Sequence, residues 1–443
     1  MHARNEGRII TRFDFVVALT FALLSVAVVL ARWRGITPFV FLSDDAANIA
    51  AFAAALDSPD AFQNDAFLGN LENIRFYFAL HVPLIRLLGH LCDDYAAPFL
   101  LLLGPHVFLQ ALGFYVLGRT VFRSRGWAFV LALASLIPIR WKIDFWGIGP
   151  DPTPRISFQT CLPFLLAAAF VTRRRVGACP VIMGLAGLLV YVHPVSAPVW
   201  AAALWVGMWV SWPRTVPLRN RVASAGLGLL VCILVSAPFA YVYLTSHAHG
   251  VTVDYERVMA IMTARFAKGF LDIPRAVVDF AGATKLLWLA GVLSVVVLYA
   301  MHWADRNEMR LFGVWMIVLC AFAIVIPRAE QVLSRTFRWI PVEIDLIRNT
   351  RYLIPCLLVF VIWCTQGIAR RINRKGRMVL SMACLGLVLI VGVSAGADQW
   401  ILRLQRGVMR KEYASQREQE EWQAMVRTVR LEVPPGARIL PIG

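Results

Sequence analysis

Four short stretches carry side chains able to do chemistry. In FLSDDAANIAAFAAALDSPDAF, two adjacent carboxylates, Asp44 and Asp45, follow Ser43 at the start of a helical pattern. A carboxylate so placed takes a proton from an incoming hydroxyl or helps to hold a divalent cation. In WKIDFWGIGPDPTPRISF, Arg155 follows a Gly/Pro-rich turn that cannot be helical. In DLIRNTRYLIP, Arg348 and Arg351 are three residues apart and share a helix face. In LLVYVHPVSAP, His193 stands beside the helix-breaking Pro194. Guanidinium forks suit phosphate oxygens, and a histidine at a kink can donate to the same group. A fifth stretch, with His247 and His249 followed by Asp254 and Glu256, is a weaker metal-ligand pattern.

Each feature also has a plainer reading. Acids in a first helical turn complement the helix dipole, interfacial arginines snorkel to lipid headgroups, and an HxH pair is most often a solvated loop. No Walker loop, GxGxxG, HExxH or GxSxG is present, which leaves nucleotide-driven, dinucleotide, zinc-protease and serine-hydrolase chemistry without support.

The elements that must position these residues are membrane helices. Of 443 residues, 59% are hydrophobic and only 16% charged, against roughly 45–50% and about 25% in soluble domains. A span needs about 20 mostly apolar residues. Eleven segments qualify: 13–31, 96–117, 127–139, 156–171, 178–192, 195–212, 222–244, 286–303, 311–326, 352–368 and 378–397. The two flanking His193-Pro194 are short and are alternatively one kinked helix. With the N-terminus inside, nineteen of the 44 Lys and Arg but only four of the 27 acids fall on inside connections, a net +15. The remaining 25 cations and 23 acids leave +2 outside, so most of the formal +17 is topological and gives no reason to expect a nucleic-acid partner.

The outside connections are long, and the first, 32–95, contains the acidic motif and a short helix expected to lie on the membrane surface. An amphipathic stretch, 75–91, interrupted by Pro83, reads as a re-entrant or interfacial helix. His106 and Gln110, one turn apart within a span, are expected to face other helices or a cavity. The eight cysteines lie in or against apolar segments and read as small buried hydrophobes. Arginine outnumbers lysine 39 to 5 and no N-x-Ser/Thr sequon occurs, both in keeping with a bacterial source. The domain reading is a membrane domain over 1–397 and an outside tail over 398–443, with a helix at 412–430 and a strand at 437–442.

A first helix with its N-terminus inside, an outside loop opening on an acidic pair and a surface helix, and a long series of spans resemble the GT-C superfamily of integral membrane glycosyltransferases. TPRISF leading into a span, the HP of YVHPVSAP and the late RNTRY look like elements of its bacterial members. The resemblance implies an all-α polytopic fold of eleven transmembrane helices in the bacterial cytoplasmic (inner) membrane, with the C-terminus extracytoplasmic. It implies transfer of a hexosyl or pentosyl group, with inversion, from a polyprenyl-phosphate donor to an envelope lipid or glycan acceptor at the outer face. No nucleotide cofactor is expected, and a divalent cation is left open. By the same analogy Asp44 is the base, with Asp45 as its substitute or metal partner, and Arg155, His193, Arg348 and Arg351 surround the donor phosphate.

The acidic pair is DD where many relatives have DE, and WWDYG is absent, which disfavours transfer to protein asparagine. The tail resembles the beginning of an outside α/β domain, so the chain is expected to be truncated or completed by a partner chain. Two other classes compete: a transporter or flippase of a lipid-linked anion, and an inactive GT-C-like scaffold that binds membrane lipids.

Overall fold

A computed structural model of the chain describes residues 11–32, 42, 44–65, 67–75, 77, 79–141, 143–149, 152–246, 254–266, 272–303, 305–338 and 345–371. The helices are α1 (Arg12–Arg32), α2 (Asp44–Asp57), α3 (His81–Cys92), α4 (Ala97–Phe122), α5 (Arg125–Ser135), α6 (Pro154–Thr172), α7 (Cys179–Leu188) and α8 (Ala197–Ser211). They continue with α9 (Leu218–Ser246), α10 (Tyr255–Phe266), α11 (Ile273–Ala283), α12 (Lys285–Met301), α13 (Arg306–Cys320), α14 (Ile326–Phe337) and α15 (Leu353–Arg371). A small antiparallel hairpin, β1 (Ile139–Trp141) with β2 (Ile143–Trp146), interrupts the helical series.

Six helices among the described residues are long and apolar enough to cross a membrane, or seven if α11 and α12, bent by 80°, form one span. The chain is a helical membrane protein. Ten of the eleven hydrophobic segments fall on helices, although α5, the segment around α7, and α8 are short. The eleventh, 378–397, and the whole tail lie outside the described residues.

Helix α15 is buried nearly all round, as expected of a helix at the centre of a bundle. Gly291 of α12 lies against Leu357 of α15, and Gly207 of α8 lies against Trp315 of α13. At one end of the bundle, Asp14 of α1 accepts from Tyr115 and Arg119 of α4 and from Arg125 of α5. At that same end Glu308 of α13 pairs with Arg173, 2.6 Å away, and with Arg123 at 3.8 Å. Four of the connections assigned to the inside therefore meet at this end. Arg155 stands at the opposite end of α6 from Arg173, about 27 Å away along the helix axis.

Two local readings are corrected. Pro83 does not interrupt a helix; α3 begins at His81, so the proline falls in the first turn, where no intrahelical N–H bond is lost. The ninth segment does not stop before Pro327, because α13 runs into α14 through a π turn at Ala321–Val325. That wider turn accommodates the proline ring where it faces the carbonyl of Ala323. The stripe Ala46, Ile49 and Ala53 of α2 packs on Val82 and Ile85 of α3 and Phe99 of α4, so this helix of the first long connection is held by protein contacts on one face.

Asp57 closes this α2–α3 unit. It accepts from Arg86 Nε at 2.7 Å and from the Tyr95 hydroxyl at 2.9 Å, with His90 at 3.2 Å. Burial opposes its charge, but Arg86, Tyr95 and His90 together hold the carboxyl below the ordinary 3.8. A depressed folded value gives stability that is complete above the unfolded value and lost as pH falls through the folded one. Asp57→Asn is therefore expected to cost about 2 kcal/mol at neutral pH. In thermal melts of the purified protein, the gap to wild type should narrow below pH 3.8. A gap that widens in acid would contradict the ion-pair account.

Candidate active site

The residues singled out in the sequence meet at one cavity of about 150 Å³, lined among others by Asp45, Arg155, His193, Arg348 and Arg351. Asp45 is the second residue of α2, held in place by the packing of α2 on α3 and α4. Its Oδ2 lies 3.0 Å from Arg155 Nη2, with the carboxylate about half exposed and the guanidinium largely covered. Asp44 opens the same helix; its side chain lies outside the description, as does Ser43.

Arg155 is carried by the first turn of α6. Pro154 supplies a first helical residue with no N–H to satisfy, and Thr153, in an extended conformation, forms the N-cap. The approach to this turn is fixed by the hairpin. Gly147 has φ +89°, and a side chain there would collide with the Ile137 carbonyl. Trp146 then packs edge-on against Tyr352, tying the hairpin to the segment that carries the two late arginines.

His193 occupies the break between α7, with its 3₁₀ extension Leu189–Tyr191, and α8, so the two flanking segments are separate helices. The Ser196 N–H donates to His193 Nδ1 at 3.2 Å. Nδ1 is thus an acceptor, and the neutral ring carries its proton on Nε2. Arg348 and Arg351 belong to a 3₁₀ helix, Asp345–Tyr352, in which residues three apart are nearly eclipsed. Arg351 Nε donates to the Arg348 carbonyl at 2.8 Å, and the Arg351 residue is 1% exposed.

Sequence reasoning missed Tyr77, Thr153, Ser196 and Asn349, which also line the cavity. Three of them had a signal: they adjoin or lie within one turn of a chosen residue, in TPR, HPVS and RNTR. Tyr77, in a loop, had none. Burial, with Asp45 nearby, pushes its phenol above its usual range, so it enters the cavity as a protonated group.

A separate polar cluster lies behind Thr153. His106 Nδ1 donates to the Leu102 carbonyl at 2.7 Å and Nε2 meets Ser157 Oγ at 2.7 Å, while Gln110 donates to the Ser135 carbonyl at 2.9 Å. Both polar groups of α4 therefore face neighbouring segments. His81 reaches the Pro152 carbonyl through Nε2, and burial beside His106 lowers its pKa to about 4. Through the Pro152 carbonyl and Ser157, these two imidazoles brace the start of α6.

His247 and His249 lie outside the described residues. Among the described residues, no three His, Cys, Asp or Glu side chains are grouped to hold a metal ion. The cavity lining sets one carboxylate, Asp45, against three guanidinium groups, a donor set for an anion rather than for a divalent cation. No protein-family model and no curated protein matches the chain.

Proposed function

We propose that this membrane protein is a GT-C-type glycosyltransferase that moves a sugar from a polyprenyl-phosphate donor to an envelope lipid or glycan acceptor at the outer face of a bacterial cytoplasmic membrane. One observation carries the reading: a carboxylate, three guanidinium groups and a histidine line a single cavity at the helix ends. General-base chemistry needs the first and a departing phosphate needs the others.

In this reaction Asp45 takes the proton of the acceptor hydroxyl. The acceptor oxygen forms a bond to the anomeric carbon as the bond from that carbon to the phosphate oxygen breaks, so one displacement inverts the centre. The electron pair leaves on the lipid phosphate, where Arg155, Arg348 and Arg351 balance it and His193 donates through Nε2. The cavity lies where α6 begins and just before α15, and its charged groups favour chemistry at a helix-end surface over passage through the bundle.

The test is transfer by purified protein in lipid nanodiscs, with a panel of radiolabelled polyprenyl-phosphate sugars and an envelope-lipid extract. Labelled product appearing in the acceptor fraction is the expected result. Donor movement across vesicles without a new glycosidic bond would favour a flippase, and donor binding without either would favour a scaffold.

A further inference from the structure

Asn349 lies between the two late arginines, is 2% exposed and lines the cavity. Its carbonyl oxygen is already used: Ser196 Oγ donates to Asn349 Oδ1 at 2.8 Å, and the Tyr352 hydroxyl donates to Ser196 Oγ at 3.0 Å. Ser196 and Tyr352 are themselves buried. The chain of donors therefore has a direction, since a hydroxyl that accepts from tyrosine must send its one proton onward. That direction fixes the amide with Nδ2, and its two hydrogens, on the other side.

Asn349 Nδ2 has no hydrogen-bond partner among the described residues, nor has the buried hydroxyl of Thr153, which also lines the cavity. A buried donor left unmet is costly, and a site that fixes its orientation through two further buried side chains has paired it with something. We infer that Asn349 is a ligand-contacting residue that donates to a non-bridging oxygen of a phosphate monoester or diester, with Ser196 and Tyr352 as its positioning residues. This rests on reading the cavity as an anion site. It adds to the guanidinium groups a neutral donor of fixed direction, which selects an oxyanion by geometry as well as by charge. Trp146, Phe158 and Trp200 pack around the Tyr352 ring, so removing the hydroxyl alone leaves the ring's packing in place.

The experiment measures binding of farnesyl phosphate, inorganic phosphate and uncharged farnesol to the full-length protein in detergent, comparing wild type, Asn349→Asp and Tyr352→Phe. Expected are at least tenfold weaker farnesyl phosphate binding in Asn349→Asp, which turns an oxygen toward the ligand, and threefold or more in Tyr352→Phe. Farnesol binding and melting temperature should stay near wild type in Tyr352→Phe. Parallel loss of inorganic phosphate would show that the cradle reads the bare oxyanion; loss confined to farnesyl phosphate would show that it reads the lipid ester. Wild-type affinity for farnesyl phosphate in both variants, or an equal loss of farnesol, overturns the inference, as does a wild type that binds neither phosphate. Asn349-dependent binding by a protein that transfers no sugar would leave this inference standing and sink the transferase reading instead.

Discussion

Replacing Asp45 by asparagine is expected to reduce sugar transfer at least a hundredfold in a folded protein. General bases contribute roughly 10²- to 10⁴-fold, and asparagine keeps the shape while removing the proton acceptor. The local helix tolerates the change, because α2 is held by Ala46, Ile49 and Ala53 on its buried face and by Asp57 at its far end, not by Asp45. At rest the carboxylate is engaged by Arg155 at 3.0 Å, yet it is about half exposed. Such a pair is worth about 1 kcal/mol at most. In the proposed reaction an arriving phosphate, offering several charge-assisted bonds, would displace Asp45 from Arg155 and free it as a base in the same event.

This exchange leaves a second signature: Asp45→Asn should bind farnesyl phosphate slightly more tightly than wild type, since Arg155 no longer has a competing partner. Asp44→Asn, measured beside it, apportions the role between the two neighbours. Transfer within tenfold of wild type in both variants would remove the carboxylate base from the mechanism.

The site was legible in sequence to the extent that its residues announce themselves by type against an apolar background. Arg155, His193, Arg348 and Arg351 are separated by up to 196 positions yet line one cavity, each beside the start or end of a hydrophobic segment. What counting spans missed depends on direction at shorter range. Asn349 and Ser196 are ordinary polar residues until the Tyr352–Ser196–Asn349 donor chain gives the amide an orientation.

The fold shows the same division. Hydropathy located the helices but not their breaks. Pro327 stops a standard helix yet is carried within one where a π turn widens it, and Pro83 is harmless because of where α3 begins. The Ile139–Trp146 hairpin was hidden among turn residues, since its two strands are too short to show an alternating pattern. The apolar stripe of α2 names no partner by composition; small residues at 46 and 53 allow the close packing on α3 that the fold shows.

Arg351→Lys is expected to lower kcat/KM for the polyprenyl-phosphate donor about a hundredfold, or about 2.7 kcal/mol of transition-state stabilisation. Charge is conserved in this variant, so the loss measures geometry. Arg351 is 1% exposed and anchored through Nε to the Arg348 carbonyl at 2.8 Å, which aims the planar face of the guanidinium. Lysine has neither the Nε donor nor the fork, and its ammonium is more strongly hydrated and harder to bury. In the low-dielectric interior, a fixed donor acts most strongly where charge develops, which in the proposed reaction would be the leaving phosphate oxygen. The defect should therefore appear in kcat more than in KM.

Arg348, which is less buried, should tolerate lysine with a loss of tenfold or less. The order of the two effects is the informative part. If Arg348→Lys proved the more damaging, the phosphate would lie toward the open side of the cavity and Arg351 would serve to hold the 3₁₀ segment. Equal, small losses at both positions, with melting temperatures unchanged, would mean that the arginines answer lipid headgroups at the interface and not a reacting phosphate.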